Sequence, residues 1–401
     1  MQTSILGIAL SPIALVLASC GPTGAGDSEA TTTSTPSPAT ATGGESVELQ
    51  KTSPFAAASF GRFAEPWALA IEPGTGNVFI TEKAGTMKFF QPRTGRTGTV
   101  SGLPRVDYGG QGGLGDFVFA PDYASSKTVY LSWVEAGDGD TRGAVVGRGN
   151  LACQDQDRCA ISDLRIIWRQ APKVTGRGHY SHRIAFSPDG RYLFVSSGER
   201  QKQDPAQDLS NNLGTIVRLN LDGTPAAGNP FSDRGTPTDQ VWSYGHRNTL
   251  GLAFDPDGQL FNLEHGPAGG DEINRIEPGE NYGWPVRSNG DNYDGSKIPN
   301  HSPDDGFTKP VIYWTPVIAP GDMIFYTGAM FADWRGQALV ANLRTTSISR
   351  VSFAADKNSA KEEARYEFPE RLRDIAQGPD GSLWLIEDGE KGRLLKLTKA
   401  R

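Results

Sequence analysis

One phrase recurs along this chain and limits what it can fold into. It is a hydrophobic pair, then Pro-Asp or Pro-Gly, a turn, and an alternating strand. It reads Leu69-Ala-Ile-Glu-Pro-Gly before Val78-Phe-Ile-Thr, Phe119-Ala-Pro-Asp before Val129-Tyr-Leu-Ser, and Phe186-Ser-Pro-Asp-Gly before Tyr192-Leu-Phe-Val. It returns as Phe254-Asp-Pro-Asp-Gly before Leu260-Phe-Asn-Leu and as Gln377-Gly-Pro-Asp-Gly before Leu383-Trp-Leu-Ile. The last gap is about two units wide, and Gly336-Gln-Ala-Leu-Val-Ala-Asn-Leu fills its middle as a degenerate copy. Period-2 alternation bounded by Gly, Asp and Pro marks strands joined by tight turns. No stretch carries an extended helical period with caps. A repeated four-stranded unit cannot bury both its faces alone, and radial packing of such units solves the problem. The pattern predicts an all-β chain, a six-bladed β-propeller. A two-sheet sandwich is the alternative, for which this body is long.

The chain has 401 residues, 49 of them Gly and 27 Pro, which fits many turns. Its net charge is −7. Residues 1–50 hold Asp27, Glu29, Glu45 and Glu48 and no Lys or Arg, so the remaining 351 are close to neutral. Such a body lacks the excess of basic charge that nucleic acid demands, and nucleic acid is not expected as a partner.

Ile5 to Leu17 is an apolar run too short for a transmembrane helix and suited to the core of a signal peptide. It ends Leu17-Ala-Ser-Cys20, which resembles a bacterial lipobox, although no Lys or Arg precedes the run. An ordinary signal peptide with an incidental Cys is the alternative. Residues 21–50 are rich in Thr, Ser, Ala, Gly and Pro and are expected as a disordered tether. The expected organisation is a signal peptide at 1–20, the tether at 21–50 and the folded domain at 51–401. The protein would be exported and held at the cell envelope by lipid on Cys20. Cys153 and Cys159, in an exported chain, read as a small-loop disulfide.

Gly110-Gln-Gly-Gly-Leu-Gly115 satisfies G-x-G-x-x-G, but a strand follows it instead of the helix that dinucleotide binding needs. His179-Tyr-Ser-His182 has two His without a third ligand at a recognisable spacing. Polar, Gly-rich segments lie between the blade phrases, and in a propeller such loops gather at the ends of a central channel. Arg247, Arg344, Arg371 and Arg373 fall in or beside strand ends of different units. A convergent Arg set in a near-neutral protein points to a small polyanion with several carboxylates. His179 is the best general base. Glu264-His-Gly-Pro-Ala-Gly-Gly-Asp-Glu272 offers the hard oxygen donors that Ca²⁺ prefers.

These strings, with Trp242-Ser-Tyr-Gly-His-Arg-Asn-Thr-Leu-Gly-Leu, Asn281-Tyr-Gly-Trp-Pro and Arg371-Leu-Arg-Asp, carry a resemblance. From Pro66 to Leu397 the chain resembles the soluble PQQ-dependent aldose sugar dehydrogenases, the glucose/sorbosone dehydrogenase family, which are six-bladed propellers. The resemblance implies oxidation of an aldose at its anomeric carbon to a lactone, with hydride passing to PQQ and electrons to an external acceptor. It implies His179 as base, Glu199 as the carboxylate orienting it, and Arg247 as the group that stabilises charge at the quinone. Gln111, Arg183, Asn248, Arg344, Arg371 and Arg373 would join Arg247 in holding PQQ. The carbonyls of Gly266 and Pro267 would hold the Ca²⁺ at the cofactor, with Glu272 and the Tyr282 carbonyl at a second Ca²⁺. Glu199 stands where relatives often have Asp, and Arg344 where they often have Lys. Two other readings stay open: a propeller binding module without redox chemistry, and a metal-dependent lactonase-type hydrolase.

Overall fold

The computed structural model describes residues 44–400, and the chain there is almost entirely β. The expectations for the leader, Cys20 and the tether up to residue 43 lie outside the described residues. Each recurring phrase connects the first strand of an antiparallel set to the second. Six first strands are labelled here: β1 (Pro66–Ile71), β2 (Leu114–Phe119), β3 (Ser181–Phe186), β4 (Thr249–Phe254), β5 (Pro320–Phe325) and β6 (Leu372–Gln377). After β4, Asp255 turns the chain by accepting from the amides of Asp257 and Gln259 at 3.0 and 2.9 Å. Gly258 completes that turn at φ 87°, where a side chain would be strained. The degenerate phrase behaves alike, with Gly336 at φ 79° two residues ahead of the second strand Ala338–Asn342.

The strands from β3, β4 and β5 each head a four-stranded antiparallel sheet. Those from β1 and β2 head two quartets fused into one eight-stranded sheet by a parallel pairing of Arg96–Ser101 with Arg158–Arg169. The β6 sheet takes its outer strands from the other end of the chain, because Phe55–Phe63 pairs with Gly392–Lys399. Glu45–Val47 adds to that sheet by pairing with Phe55–Phe63. The tether expected to run to residue 50 therefore ends earlier: Val47 and Leu49 pack on buried Phe55 and its neighbours, which gives them an apolar surface to cover.

The first strands pack in sequence, β1 on β2, then onward to β6, which returns to β1. The core is accordingly divided into apolar layers between consecutive sheets. Phe79, Phe89 and Phe117 fill the layer between the β1 and β2 sets, and Phe194, Ile216 and Leu260 that between the β3 and β4 sets. Leu69, Ile80, Trp384 and Ile386 fill the layer that closes β6 onto β1. Second strands are covered on both faces, so Leu260–Glu264 and Leu383–Glu387 are buried at every residue. Cys153 and Cys159 sit opposite each other in a hairpin and form the expected disulfide.

Candidate active site

The segments entering the first strands converge on one mouth. Gly110–Gly113 leads into β2, Gly176–Tyr180 into β3, His246–Asn248 into β4, and Pro316–Ala319 into β5. A cavity of about 220 Å³ lies there, lined by Trp67, Lys83, Gln111, Ser181, Asn248, Leu250 and Arg373 among others. A second of about 510 Å³ adjoins it through shared walls at His265 and Arg371, and adds Gly266, Pro267, Tyr293 and Arg344.

His179 is buried on the segment entering β3, and its backbone sits in the left-handed region at φ 49°. Residues 198–200 lie against it. A Cβ at Gly198 would come within 2.0 Å of the His179 carbonyl, so only Gly permits this approach. The Glu199 amide donates to the Arg247 carbonyl at 3.0 Å, tying the base segment to the Arg segment. His179 Nδ1 contacts Glu199 Oε1. The other Glu199 oxygen accepts from the Lys202 and Gln203 amides. Burial would raise the Glu199 carboxyl, but the His179 imidazole and these amides outweigh it and hold the group below its ordinary range. Burial lowers His179, opposed in part by Glu199 and reinforced by the charges of Arg247 and Arg200. An ionised Glu199 at Nδ1 and a neutral imidazole place the ring proton on Nδ1, which leaves Nε2 as the basic nitrogen. The longer carboxylate side chain thus reaches the ring. Gln111 adds a fixed contact, since its Oε1 accepts from the His179 amide at 2.7 Å.

Arg247 is anchored by its amide to Glu264 Oε2 at 2.7 Å. Its guanidinium donates to the His265 carbonyl and to the Tyr293 hydroxyl, each at 3.2 Å, while its buried Nε has no partner. Asn248 Oδ1 accepts from the Ser181 hydroxyl at 3.3 Å. Arg371 and Arg373 share Asp388, donating to its two oxygens at 2.9 Å each. Arg344 lines the larger cavity beside Arg371. Three guanidinium groups thus line this mouth, and Arg247 stands behind it against Tyr293 with its buried Nε lacking an acceptor. The set suits a ligand with several carboxylates or carbonyl oxygens.

Arg183 is not part of this set. It was expected at the cofactor, but two residues further along β3 the strand has carried it below the mouth. There it donates to the carbonyls of Leu250 and Gly321, at 2.7 and 3.0 Å, and lies among Asp116, Asp322 and Asp374.

For the metal, a Cβ at Gly266 would lie 2.1 Å from the Gly269 carbonyl, so the 265–271 turn folds back on itself and gathers backbone oxygens at the larger cavity. Glu272 faces Glu264 across paired strands, with the Asn274 amide bridging them at 3.0 and 3.1 Å. Burial and the charge of Glu264 push Glu272 up. The side-chain oxygens of Asn262 and Asn274 are buried there without partners. Crowded, under-satisfied oxygen atoms of this kind fit a hard cation. Tyr282 packs its ring on His246 at 4.6 Å in the same region. His182 is held by Ser132 at 2.7 Å and stacked on Trp67, away from any His179 partnership in a metal site.

Several residues of the mouth carried no sequence signal. Lys83, Trp67 and His265 line the smaller cavity, Tyr293 caps Arg247, and Asp388 orients two Arg side chains. Asp388 was findable only as the acid that two neighbouring Arg residues would require.

The fold is all-β and its mouth gathers cationic donors beside a carboxylate-paired imidazole, and comparison with known proteins supplies the class: an oxidoreductase of the sugar dehydrogenase type. The family described as Glucose / Sorbosone dehydrogenase matches residues 63–396. Aldose sugar dehydrogenase YliI of Escherichia coli (strain K12) is 38% identical over 336 residues, spanning 83% of this chain and 90% of that protein. The crystal structure of the soluble aldose sugar dehydrogenase from Escherichia coli in its apo form superposes with a TM-score of 0.80 at 36% identity, covering 86% of this chain and all of that one. The PQQ-bound aldose sugar dehydrogenase from Streptomyces coelicolor superposes with a TM-score of 0.69 at 29% identity, covering 88% and 97%. The chain belongs to the glucose/sorbosone dehydrogenase family.

Proposed function

We propose that this protein is a PQQ- and Ca²⁺-dependent aldose dehydrogenase built on a six-bladed propeller, with one blade headed by each of β1 to β6. The observation that carries the reading is the Glu199-paired imidazole of His179, buried beside a mouth that Arg344, Arg371 and Arg373 line and that Arg247 borders through Tyr293. Arg344, Arg371 and Arg373 would hold the carboxylates of PQQ, and Arg247 and Asn248 its quinone edge. Gly266 and Pro267 would hold the Ca²⁺ at the cofactor through their carbonyls, and Glu272 and the Tyr282 carbonyl a second Ca²⁺. When bound, PQQ supplies the hydride acceptor that turns an aldose into a lactone.

The chain's own part is proton handling and charge. His179 Nε2 takes the proton of the anomeric hydroxyl while Glu199 stabilises the imidazolium through Nδ1. Arg247 opposes negative charge developing beside it, in a site whose partners are already fixed. Gln111 and Gly198 hold the His179 backbone so that the ring does not have to be oriented during reaction. An acceptor outside this chain would take the electrons. The protein would work outside the cytoplasm, lipid-anchored at the cell envelope through Cys20.

Purified protein supplied with PQQ and Ca²⁺ should show reduction of the bound quinone by absorbance when an aldose is added. PQQ binding without reduction by any of a panel of aldoses would sink the dehydrogenase reading. No PQQ binding at all would turn the site toward a binding propeller or a hydrolase. Arg373→Ala should weaken PQQ affinity by about tenfold or more, since a charge-assisted contact contributes roughly 1.5–3 kcal/mol. An unchanged affinity in titration would remove Arg373 from the cofactor site.

A further inference from the structure

Among the described residues Arg200 is the largest fully buried side chain, and neither the mouth nor the core layers account for it. Its partners are backbone carbonyls: Nε donates to Gly178 at 2.9 Å, Nη1 to Arg142 at 2.7 Å and Nη2 to Gly176 at 2.6 Å. Two of these carbonyls belong to the segment that enters His179, and the Arg200 amide donates to the His179 carbonyl at 3.2 Å. The guanidinium lies over the Tyr180 ring, 3.8 Å from its centre. Among the described residues it forms no ion pair. A buried cation held only by carbonyls and a π face is an expensive arrangement that needs a reason.

The segment it holds is strained. His179, Ser181 and His182 all have positive φ, between 49° and 62°, and so do Arg200, Gln201 and Gln203 on the facing segment. Non-Gly residues in this region cost free energy and persist only where surrounding contacts over-determine them. Burial lowers the Arg200 guanidinium to about 10, which still leaves it charged at neutral pH.

We propose that Arg200 is a positioning residue for the reaction: it clamps the strained segment carrying His179 and keeps an unneutralised positive charge behind that imidazole. This rests on reading His179 as the base. The groups facing His179 are Glu199, which favours its protonated form, and Arg247, Arg200 and the neutral His265. Arg247 and Arg200 both disfavour protonation, so they keep Nε2 free to accept. Arg247 also faces the ligand, whereas Arg200 is sealed away from it. Tyr180 separates Arg200 from the smaller cavity, so the charge acts without touching substrate.

The test compares Arg200→Met and Arg200→Lys in the PQQ-loaded protein and in the free protein. In the free protein, the titration of His179 is followed by NMR of labelled imidazoles. Arg200→Met should move it upward by roughly half a pH unit or more, whether or not His179 is the base. In the loaded enzyme, kcat at neutral pH should fall by about tenfold or more, the acid limb of kcat/KM should move up with the titration, and PQQ affinity should stay within about threefold. Arg200→Lys keeps the charge and loses the three-carbonyl clamp. It should leave the limb in place and still lower kcat, and it serves if the Met variant does not fold. An unmoved His179 titration in Arg200→Met, or a limb displaced by Arg200→Lys as far as by Met, would overturn the proposal. A moved titration with unchanged kcat would instead remove His179 from the base role while leaving the charge effect standing.

Discussion

His179→Gln should lower kcat by about 10²- to 10⁴-fold, the usual contribution of a positioned general base, and leave PQQ affinity unchanged. Gln preserves a polar side chain of similar reach and can still meet Glu199 through its amide, so the local hydrogen bonding survives. It cannot accept a proton. The pH profile gives a second reading of the same change. Burial places His179 below its ordinary value of 6.5, with the two Arg charges adding to the effect and Glu199 only partly restoring it. The active form is the neutral imidazole, so kcat/KM should fall on the acid side through a limb below pH 6.5, and His179→Gln should erase that limb. Stopped-flow reduction of the bound quinone isolates the chemical step from cofactor loading. Turnover within about threefold of wild type would remove His179 from the reaction.

The fold was legible because its unit repeats. Asp255 and Gly258 turn the chain for local reasons that a sequence displays, and the same turn recurs wherever Pro-Asp-Gly does. The closing strand was less legible. Phe55–Phe63 belongs to the last sheet because Gly392–Lys399 leaves an edge for it, a relation between chain ends that no local pattern encodes. Glu45–Val47 was read as tether because its composition is polar, yet a free strand edge supplies the backbone partners it needs.

The site was legible in part, and what was misplaced or missed depends on backbone geometry that the string of residues does not display. The resemblance implied that Arg183, four residues after His179 in one string, joins it at the cofactor. A strand rises roughly 3.3 Å per residue, so Arg183 stands deep below the mouth, among carboxylates from other sheets. Arg200 sits in the same string as Glu199, but one points at the imidazole and the other away from the cavity, and only the positive-φ turn between them decides which. Tyr293 reaches Arg247 from a loop whose sequence, Asp291-Asn-Tyr-Asp-Gly295, announces a turn and nothing about where that turn lands.

Arg183→Met should destabilise the protein by about 3–5 kcal/mol, because removing one partner leaves uncompensated charge in the interior. Arg183 stands where all six first strands meet. It donates to the carbonyl of Leu250 on β4 and of Gly321 on β5, and lies 3.5 Å from Asp116 of β2, 3.8 Å from Asp322 of β5 and 3.5 Å from Asp374 of β6. Asp374 accepts from the Leu69 amide of β1 at 2.7 Å, and Asp116 from the Ile184 amide of β3 at 2.8 Å. Burial raises Asp116, with Arg183 opposing. Burial and the neighbouring Asp374 raise Asp322 well above its ordinary value, again against Arg183. The sign of the pH dependence follows. A carboxyl raised in the folded state contributes stability below its unfolded value near 3.8 and loses it as pH rises through the folded value. Without Arg183 these carboxyls rise further, so the deficit of Arg183→Met should be small in acid and grow toward neutral pH. Urea midpoints across that range measure it. A deficit under about 1 kcal/mol, or one that does not change with pH, would mean that water rather than Arg183 balances the three carboxylates. The hub adjoins the mouth, because Trp67, which lines the smaller cavity, stacks on His182 and meets the Arg183 guanidinium 4.3 Å from its ring centre. Loss of the hub should therefore loosen the floor of the site as well as the ring. The same urea series followed by quinone absorbance should show cofactor release before global unfolding in the variant and together with it in the wild type.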